Sequence, residues 1–527
     1  MAIEIVGDDT TPTSQTSDEV HTSEQFADVV ATSGKFIMPT SPMVNESLQP
    51  FPESLSSDVA VAFNNARRAQ REWASTPIEK RASIMRSFVK QINKERDLLL
   101  DVIQRETGKS RLHANDELLH VMLNAEYYAS HTQKVLSDQS RKGAFPVITS
   151  VQVSYHPKGV VGIICPWNYP FSLALCDAIP ALMAGNAVVI KPDVQGMWSA
   201  IHAVRLLRAA GLPAGLVQLV SGDGPSIGGA LVDQADYLCF TGSTRTGRIV
   251  ATQAAQRLVG MSLELGGKNP MVVCADANLK TFLDVAVRSC FTSAGQLCVS
   301  TERIFIHRDI HERFVSALVE RVSALTLGAN LGWGYEVGSL NSQIQHDRVA
   351  TMVKDAVASG ARVLTGGKSR PDIGPFVYEP TILVDVTPEM NLHSQEVFGP
   401  CVYVESFANY DDVIARVNAS EYGLSASVLT SDKVFGQALA RELHCGSVNI
   451  NEGFATAFAS VDAPMGGMGI SGVGRRHGPE GLLRFVEPQT LATQVALSMG
   501  NVARRPDQQW ARWQTLALRL LSYIRLR

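Results

Sequence analysis

The chain has 527 residues, 45% of them apolar, which is enough for more than one hydrophobic core; a small disulfide-stapled scaffold is excluded and at least two domains are predicted. With 47 Lys and Arg against 51 Asp and Glu the formal charge is −4, so there is no global basic field for a phosphate backbone and nucleic acid is not an expected ligand. Eight cysteines without C-x-x-C spacing predict reduced thiols and no metal site, and the lack of an export-type leader or of an apolar run of about 18 residues predicts a soluble, cytoplasmic protein.

Residues 1–45 are rich in Thr, Ser and Asp and show no apolar period, which predicts a mobile leader. Apolar residues then recur at helical spacing over 58–74 and 78–107, as in Ile84, Met85, Phe88, Val89 and Ile92. From Val147 to Tyr155 the period is two, that of a half-exposed strand suited to assembly. Short apolar runs at 160–165, 187–190, 216–220, 237–240 and 271–274 alternate with helical segments of about a dozen residues, the pattern of a doubly wound parallel sheet. A second set at 303–306, 363–365, 401–407, 426–430 and 446–450 predicts a second α/β domain. At the end, Trp510, Trp513, Leu516, Leu520 and Ile524 share one helical side with Arg512, Arg519 and Arg525 among them. This predicts an amphipathic tail helix that docks on the body, on a partner subunit or on a membrane surface.

Chemistry-bearing residues fall at the tips of the predicted strands, where α/β sheets bind ligands. Cys165-Pro166-Trp167-Asn168-Tyr169-Pro170 follows the first; the Asn168 carboxamide suits an oxyanion or a helix cap. Ile190-Lys191-Pro192-Asp193 follows the second, with Lys191 placed for a ribose hydroxyl or phosphate, or for solvent. Phe240-Thr241-Gly242-Ser243-Thr244 enters a helix through small residues whose N–H groups can meet a pyrophosphate. Leu263-Glu264-Leu265-Gly266-Gly267-Lys268 supplies a carboxylate beside paired glycines, and Gly295-Gln296-Leu297-Cys298 a thiol. A thiol with a carboxylate base fits covalent catalysis; of the eight cysteines Cys298 alone follows a polar, glycine-containing loop. Glu396-Val397-Phe398-Gly399-Pro400 reads as a ribose and ring contact or as loop packing.

In this order the segments resemble the NAD(P)-dependent aldehyde dehydrogenase superfamily over residues 41–493. The resemblance implies Cys298 as nucleophile, Glu264 as base and Asn168 as oxyanion donor. It places Pro166, Trp167, Lys191, Asp193, Val194, Phe240, Gly242, Ser243, Leu265, Gly266, Glu396 and Phe398 around a dinucleotide. It also implies an aldehyde-dehydrogenase-like α/β fold: two doubly wound parallel-sheet domains plus a small β oligomerisation element. The expected division is a cofactor domain (46–139 and 158–263), a catalytic domain (264–446), oligomerisation strands (140–157 and 487–497), a segment returning to the active site (447–486) and the tail (503–527). A homodimer or homotetramer is expected.

Within the superfamily the chain looks most like actinobacterial succinate-semialdehyde dehydrogenases of the NADP type, which implies oxidation of that aldehyde to its acid. The positions that match the carboxylate-binding arginines of such enzymes are Cys176 and Thr292, so a neutral aromatic or aliphatic aldehyde is the alternative, with Arg475, Arg476 or a residue of 452–462 as replacement cations. A non-catalytic protein of the same fold is the alternative from another class; all three catalytic candidates are present. Where many members pair Lys with Glu, this chain has Asp177 and Arg476, an exchange of signs that keeps the attraction. NAD-preferring relatives carry a glutamate three residues after the ribose lysine; here Val194 stands there, which predicts NADP first and NAD second.

Overall fold

Strands covered on both faces must be apolar along their length, and the runs that meet this condition assemble into two separate sheets. The computed structural model describes residues 26–145, 148–495, 500 and 504–523. Residues 1–25 of the expected leader, Val147, 496–497 of the expected oligomerisation strand, and 503 and 524–527 of the tail lie outside the described residues. The first sheet has six strands in the order Gly472–Val473, Gly260–Glu264, Tyr237–Thr241, Val160–Ile164, Ala187–Lys191, Val217–Leu219. All are parallel except Gly472–Val473, which is antiparallel to its neighbour. The chain starts in the middle, at Val160–Ile164, and fills one side before crossing to Tyr237–Thr241 on the other. Between these two strands the connections leave in opposite directions, which opens a crevice at their carboxyl ends.

The second sheet runs Arg362–Thr365, Thr381–Val384, Cys401–Phe407, Thr301–His307, Asn269–Val273, Ser425–Leu429, Ser447–Ile450, parallel except at its Arg362–Thr365 edge. It corrects three expectations. The 271–274 run belongs here as Asn269–Val273, not to the first sheet, whose fifth strand is Gly260–Glu264. Short apolar runs alone do not say which sheet they join. Glu264 therefore ends the first sheet instead of opening the catalytic domain, and the second sheet extends past 446 to Ile450.

The leader expectation is corrected from residue 26 onward. Val30 N donates to Leu219 O at 2.9 Å, the Thr32 hydroxyl to Asp58 at 2.7 Å, and Phe36–Ile37 pairs with Phe51–Pro52. Phe26, Val29, Val30 and Ile37 pack on the first core, an anchoring by isolated residues too few to make a period. The 78–107 segment divides at Glu95 into Ile78–Lys94 and Arg96–Thr107. The longest helix, Arg111–Val135, left no one-sided stripe in the sequence because it buries residues as polar as Glu117, His120 and Asn124 beside Leu118 and Val121.

A third, antiparallel sheet joins Val486–Gln494, Thr149–Pro157 and Gln139–Arg141, with Val486 opposite Pro157 and Gln494 opposite Thr149. Apart from Val486, the Val486–Gln494 strand is exposed throughout. The tail helix Asp507–Tyr523 buries no residue. No described helix is long and apolar enough to cross a membrane.

Candidate active site

Cys298 is reached through a break in the backbone. Helix Leu279–Phe291 ends, and Ser293, Ala294 and Gly295 follow with φ of 52°, 55° and 69°. The left-handed region suits glycine, and a Cβ on Gly295 would overlap the Gly399 carbonyl. This turn lifts Cys298 out of the second domain into the crevice; it is half-buried, whereas the other seven cysteines are buried. Desolvation, and then the charges of Glu264 and Glu396, push its thiol up to about 12.

Asn168 lies beyond the Val160–Ile164 tip, and its Nδ2 donates to Gln296 O at 2.9 Å, which fixes the carboxamide beside the Cys298 loop. Its own carbonyl accepts from Lys109 Nζ at 2.6 Å. Lys109 is buried, pairs with Glu117 at 2.6 Å and lies over the Tyr169 ring at 3.6 Å; Glu117 accepts from Ser172 N at 3.0 Å. One buried ion pair therefore clamps both ends of the loop that carries Asn168. Sequence reasoning missed it, since a lysine just after a helix-ending glycine (Gly108, φ +72°) is unremarkable.

Glu264 ends its strand with Oε1 buried and unpartnered. Desolvation holds its carboxyl up to about 7 against the pull of Arg476 and Arg484. Glu396 is likewise raised to about 7 by desolvation and by Glu302, while its Oε1 accepts from Gly267 N at 2.8 Å. A Cβ on Gly266 would meet the Glu396 carboxylate at 2.5 Å, which explains the glycine. Lys268 pairs with Glu302 at 2.7 Å, and Glu302 accepts from Val397 N and Phe398 N at 2.9 Å. Gln345 and Arg348 hold the carbonyls of Phe398 and Glu396 at 2.6 and 2.7 Å. Of these supports, Lys268 and Glu302 stood in motifs without a role, and Gln345 and Arg348 went unseen.

Pro166, Trp167, Asn168, Gly242, Ser243, Glu264, Leu265, Gly266, Cys298, Glu396 and Phe398 share the wall of one cavity of about 180 Å³. Ser243 caps helix Thr244–Gln256, accepting from Thr246 N at 3.3 Å, so the free N–H groups of that helix face the crevice. Phe240 is buried beneath Gly242, where a Cβ would press on its ring at 2.7 Å. Lys191, Asp193 and Val194 do not join that wall. They form the next strand tip: Lys191 is buried with Nζ donating to Pro192 O at 3.1 Å, Asp193 is spent on Gln195 N at 3.0 Å, and Val194 is half-buried against the first core. Neighbouring tips thus offer a lysine, a helix N-terminus and a thiol in succession, with glycines where a Cβ would fill the cradle. These residues fit an extended dinucleotide.

Tyr169 and Leu297 also line a second cavity of about 490 Å³, walled by Leu112, Leu119, Leu123, Phe291, Phe454 and Phe458. Thr292 lies in its wall, while Cys176 is buried elsewhere. The expected replacement cations are not there. Arg475 donates to the Gly467 and Gly474 carbonyls, and Arg476 grips Asp177 and Thr241. The 452–462 segment has no basic residue. The arginines of the wall are Arg288, paired with Glu452, and Arg321, paired with Asp284 and Glu336. Asp116, raised to about 6 by burial, adds a further acid.

Residues 29–491 match the aldehyde dehydrogenase family. A protein of Mycolicibacterium smegmatis, provisionally named NADP(+) succinate-semialdehyde dehydrogenase, is 46% identical over 477 residues, 90% of this chain and 92% of that protein. A Mycobacterium tuberculosis protein with the same provisional name and the number 2 is 43% identical over 499 residues, covering 95% and 96%. An NADP-dependent enzyme of E. coli superposes with a TM-score of 0.84 at 32% identity, over 88% of this chain and 96% of that one. Betaine aldehyde dehydrogenase of Staphylococcus aureus in complex with NAD+ gives 0.84 at 29% identity, over 90% and 94%.

Asp177 and Arg476 do meet, with Nε to Oδ1 at 2.9 Å and Nη2 to Oδ2 at 2.7 Å, but Arg484 also reaches Asp177 at 2.5 Å. Asp177→Asn leaves two buried guanidiniums facing each other, whereas Arg476→Met leaves the Asp177–Arg484 pair intact. In denaturant unfolding Asp177→Asn is expected to cost about 3–5 kcal/mol and clearly more than Arg476→Met. Equal losses would show that Arg484 does not share the carboxylate. For the same reason the exchange Asp177→Lys with Arg476→Glu recovers activity only in part, since Arg484 would then face a lysine.

Proposed function

The chain belongs to the aldehyde dehydrogenase family and is an NAD(P)-dependent aldehyde dehydrogenase; from that premise we propose that Cys298, Glu264 and Asn168 carry the reaction, with succinate semialdehyde as substrate and NADP preferred. The observation that carries the assignment is a buried, unpartnered carboxylate oxygen on Glu264 in the cavity wall that also holds Cys298 and Asn168. Cys298 Sγ gives up its proton to solvent at the crevice mouth and bonds to the aldehyde carbon, the C=O π pair moving onto the oxygen, whose charge meets the Asn168 N–H. Trp167, Glu396 and Phe398, in the wall beside Cys298, would hold the nicotinamide, which would supply the hydride acceptor when bound. The Cys298 thioester is then cleaved by a water whose proton goes to Glu264; the acid leaves and the thiol is restored.

With the bounds moved to the sheets, 46–139 and 158–264 bind the cofactor, 265–450 carries the nucleophile, and 451–486 returns to the site. The open Val486–Gln494 edge supports assembly as a homodimer or homotetramer through 140–157 and 487–497. Eight free cysteines suit a cytoplasmic enzyme. A second reading, a neutral aromatic or aliphatic aldehyde, is favoured by the second cavity, whose wall is apolar and whose arginines are already paired.

Cys298→Ala is expected to abolish oxidation with cofactor affinity nearly unchanged, as read by turnover and cofactor titration. Glu264→Gln should keep a burst of reduced cofactor and then stall, because hydrolysis follows hydride transfer. Since only the ionised Glu264 accepts a proton, thioester hydrolysis in wild type should fall as pH drops through about 7; a flat single-turnover profile would remove Glu264 as the base. A steady-state panel of succinate semialdehyde, benzaldehyde and hexanal with NADP and NAD settles substrate and cofactor. With Asp193 turned into its own cap, Val194→Glu should move kcat/KM toward NAD by about tenfold or more, equivalent to ~1.4 kcal/mol, and an unmoved ratio would show that position 194 does not read the 2′-phosphate.

A further inference from the structure

Helix Asp507–Tyr523 stands apart: among the described helices of eight or more residues, it alone buries no side chain. A helix that leaves its apolar face exposed is marginal in water, because most helical stability in proteins comes from covering such a face. Trp510, Gln514, Ala517, Leu518 and Leu521 are half-buried, and the apolar face beside them is left open. Trp513, Leu516 and Leu520 are 59%, 56% and 62% exposed, and with half-buried Trp510 they form one stripe at helical spacing. Arg512 and Arg519 lie on the other side with Thr515 and Ser522, all exposed.

The charge says what covers the stripe. From 504 to 527 the chain has six arginines, no lysine, and Asp507 as the one acid, a formal charge of +5. The whole chain is at −4, so the remainder carries −9, and the basic charge is concentrated in the segment that also exposes two of the six tryptophans. An apolar stripe with tryptophan on one side, arginine-rich polar flanks and too little apolar length to span a bilayer match a helix lying in the plane of an anionic lipid surface. We propose that Asp507–Tyr523 docks this protein on anionic membrane surfaces, with Trp510, Trp513, Leu516 and Leu520 entering the lipid and the arginines meeting the headgroups. The body stays in water, since its own −9 is repelled by the same surface.

The experiment uses the full chain and sedimentation with vesicles of phosphatidylcholine alone or with roughly 30% phosphatidylglycerol, at low and at high salt. Binding is expected to the anionic vesicles only and to weaken with salt. Leu516→Asp with Leu520→Asp, and separately Arg512→Gln with Arg519→Gln, should each weaken it tenfold or more while leaving turnover of a water-soluble aldehyde unchanged, which also shows that the variants fold. No sedimentation with anionic vesicles, or sedimentation that the Leu516 and Leu520 changes leave intact, overturns the proposal. Loss of an oligomer in the Leu516→Asp, Leu520→Asp variant without any vesicle binding overturns it too, and assigns the stripe to a second copy of the chain.

Discussion

Charge buried in the crevice has to be neutralised, and the order of the site follows from which carboxylates are given a cation and which are not. Glu117 has Lys109, Glu302 has Lys268, and Asp177 has Arg476 and Arg484. Each pair holds backbone as well as charge: the first clamps the Asn168 loop, the second the Phe398 loop, and the third ties 476–484 to the first sheet's helices. Glu264 and Glu396 lie in the same low-dielectric space without an ion-pair partner, and both are pushed up to about 7. The paired acids hold the loops in place, and the unpaired ones are the carboxylates able to exchange a proton near neutral pH.

The tips of parallel strands were legible because a strand buried on both faces is a continuous apolar run, and the polar residues that end it are conspicuous. Asn168 and Ser243 were found that way, Glu264 and Cys298 as a carboxylate and a thiol beside glycines, and Glu396 as an acid before a turn; the structure gathers all five around one cavity. What was hidden is how they are held. Lys109, Glu302 and Arg348 act through backbone carbonyls and N–H groups far away in sequence, and no local pattern records a partner separated by 59 or 95 residues. Periodicity also fails where an element is buried on every side, as in Arg111–Val135, and where docking is by single residues, as in 26–45. The sheet to which Asn269–Val273 belongs was hidden for a related reason: local sequence defines a strand, while its neighbours are set by the crossover.

The cavity lined by Cys298 and the one lined by its neighbour Leu297 differ in kind. One is small and bounded by glycines, helix N–H groups and carboxylates; the other is larger, aromatic, and has its arginines engaged by Glu452, Asp284 and Glu336. A free anionic end entering the second must compete with carboxylates already in place, whereas an apolar chain has no such rival.

The distribution of the eight thiols has a consequence for how the protein ages. Seven are enclosed, and the eighth, Cys298, is half-buried, with burial and two neighbouring carboxylates pushing its thiol up. Oxidants and electrophiles need a sulfur they can reach. Among the described cysteines one sulfur alone comes near that condition, so chemical ageing is directed to the crevice and away from the two cores.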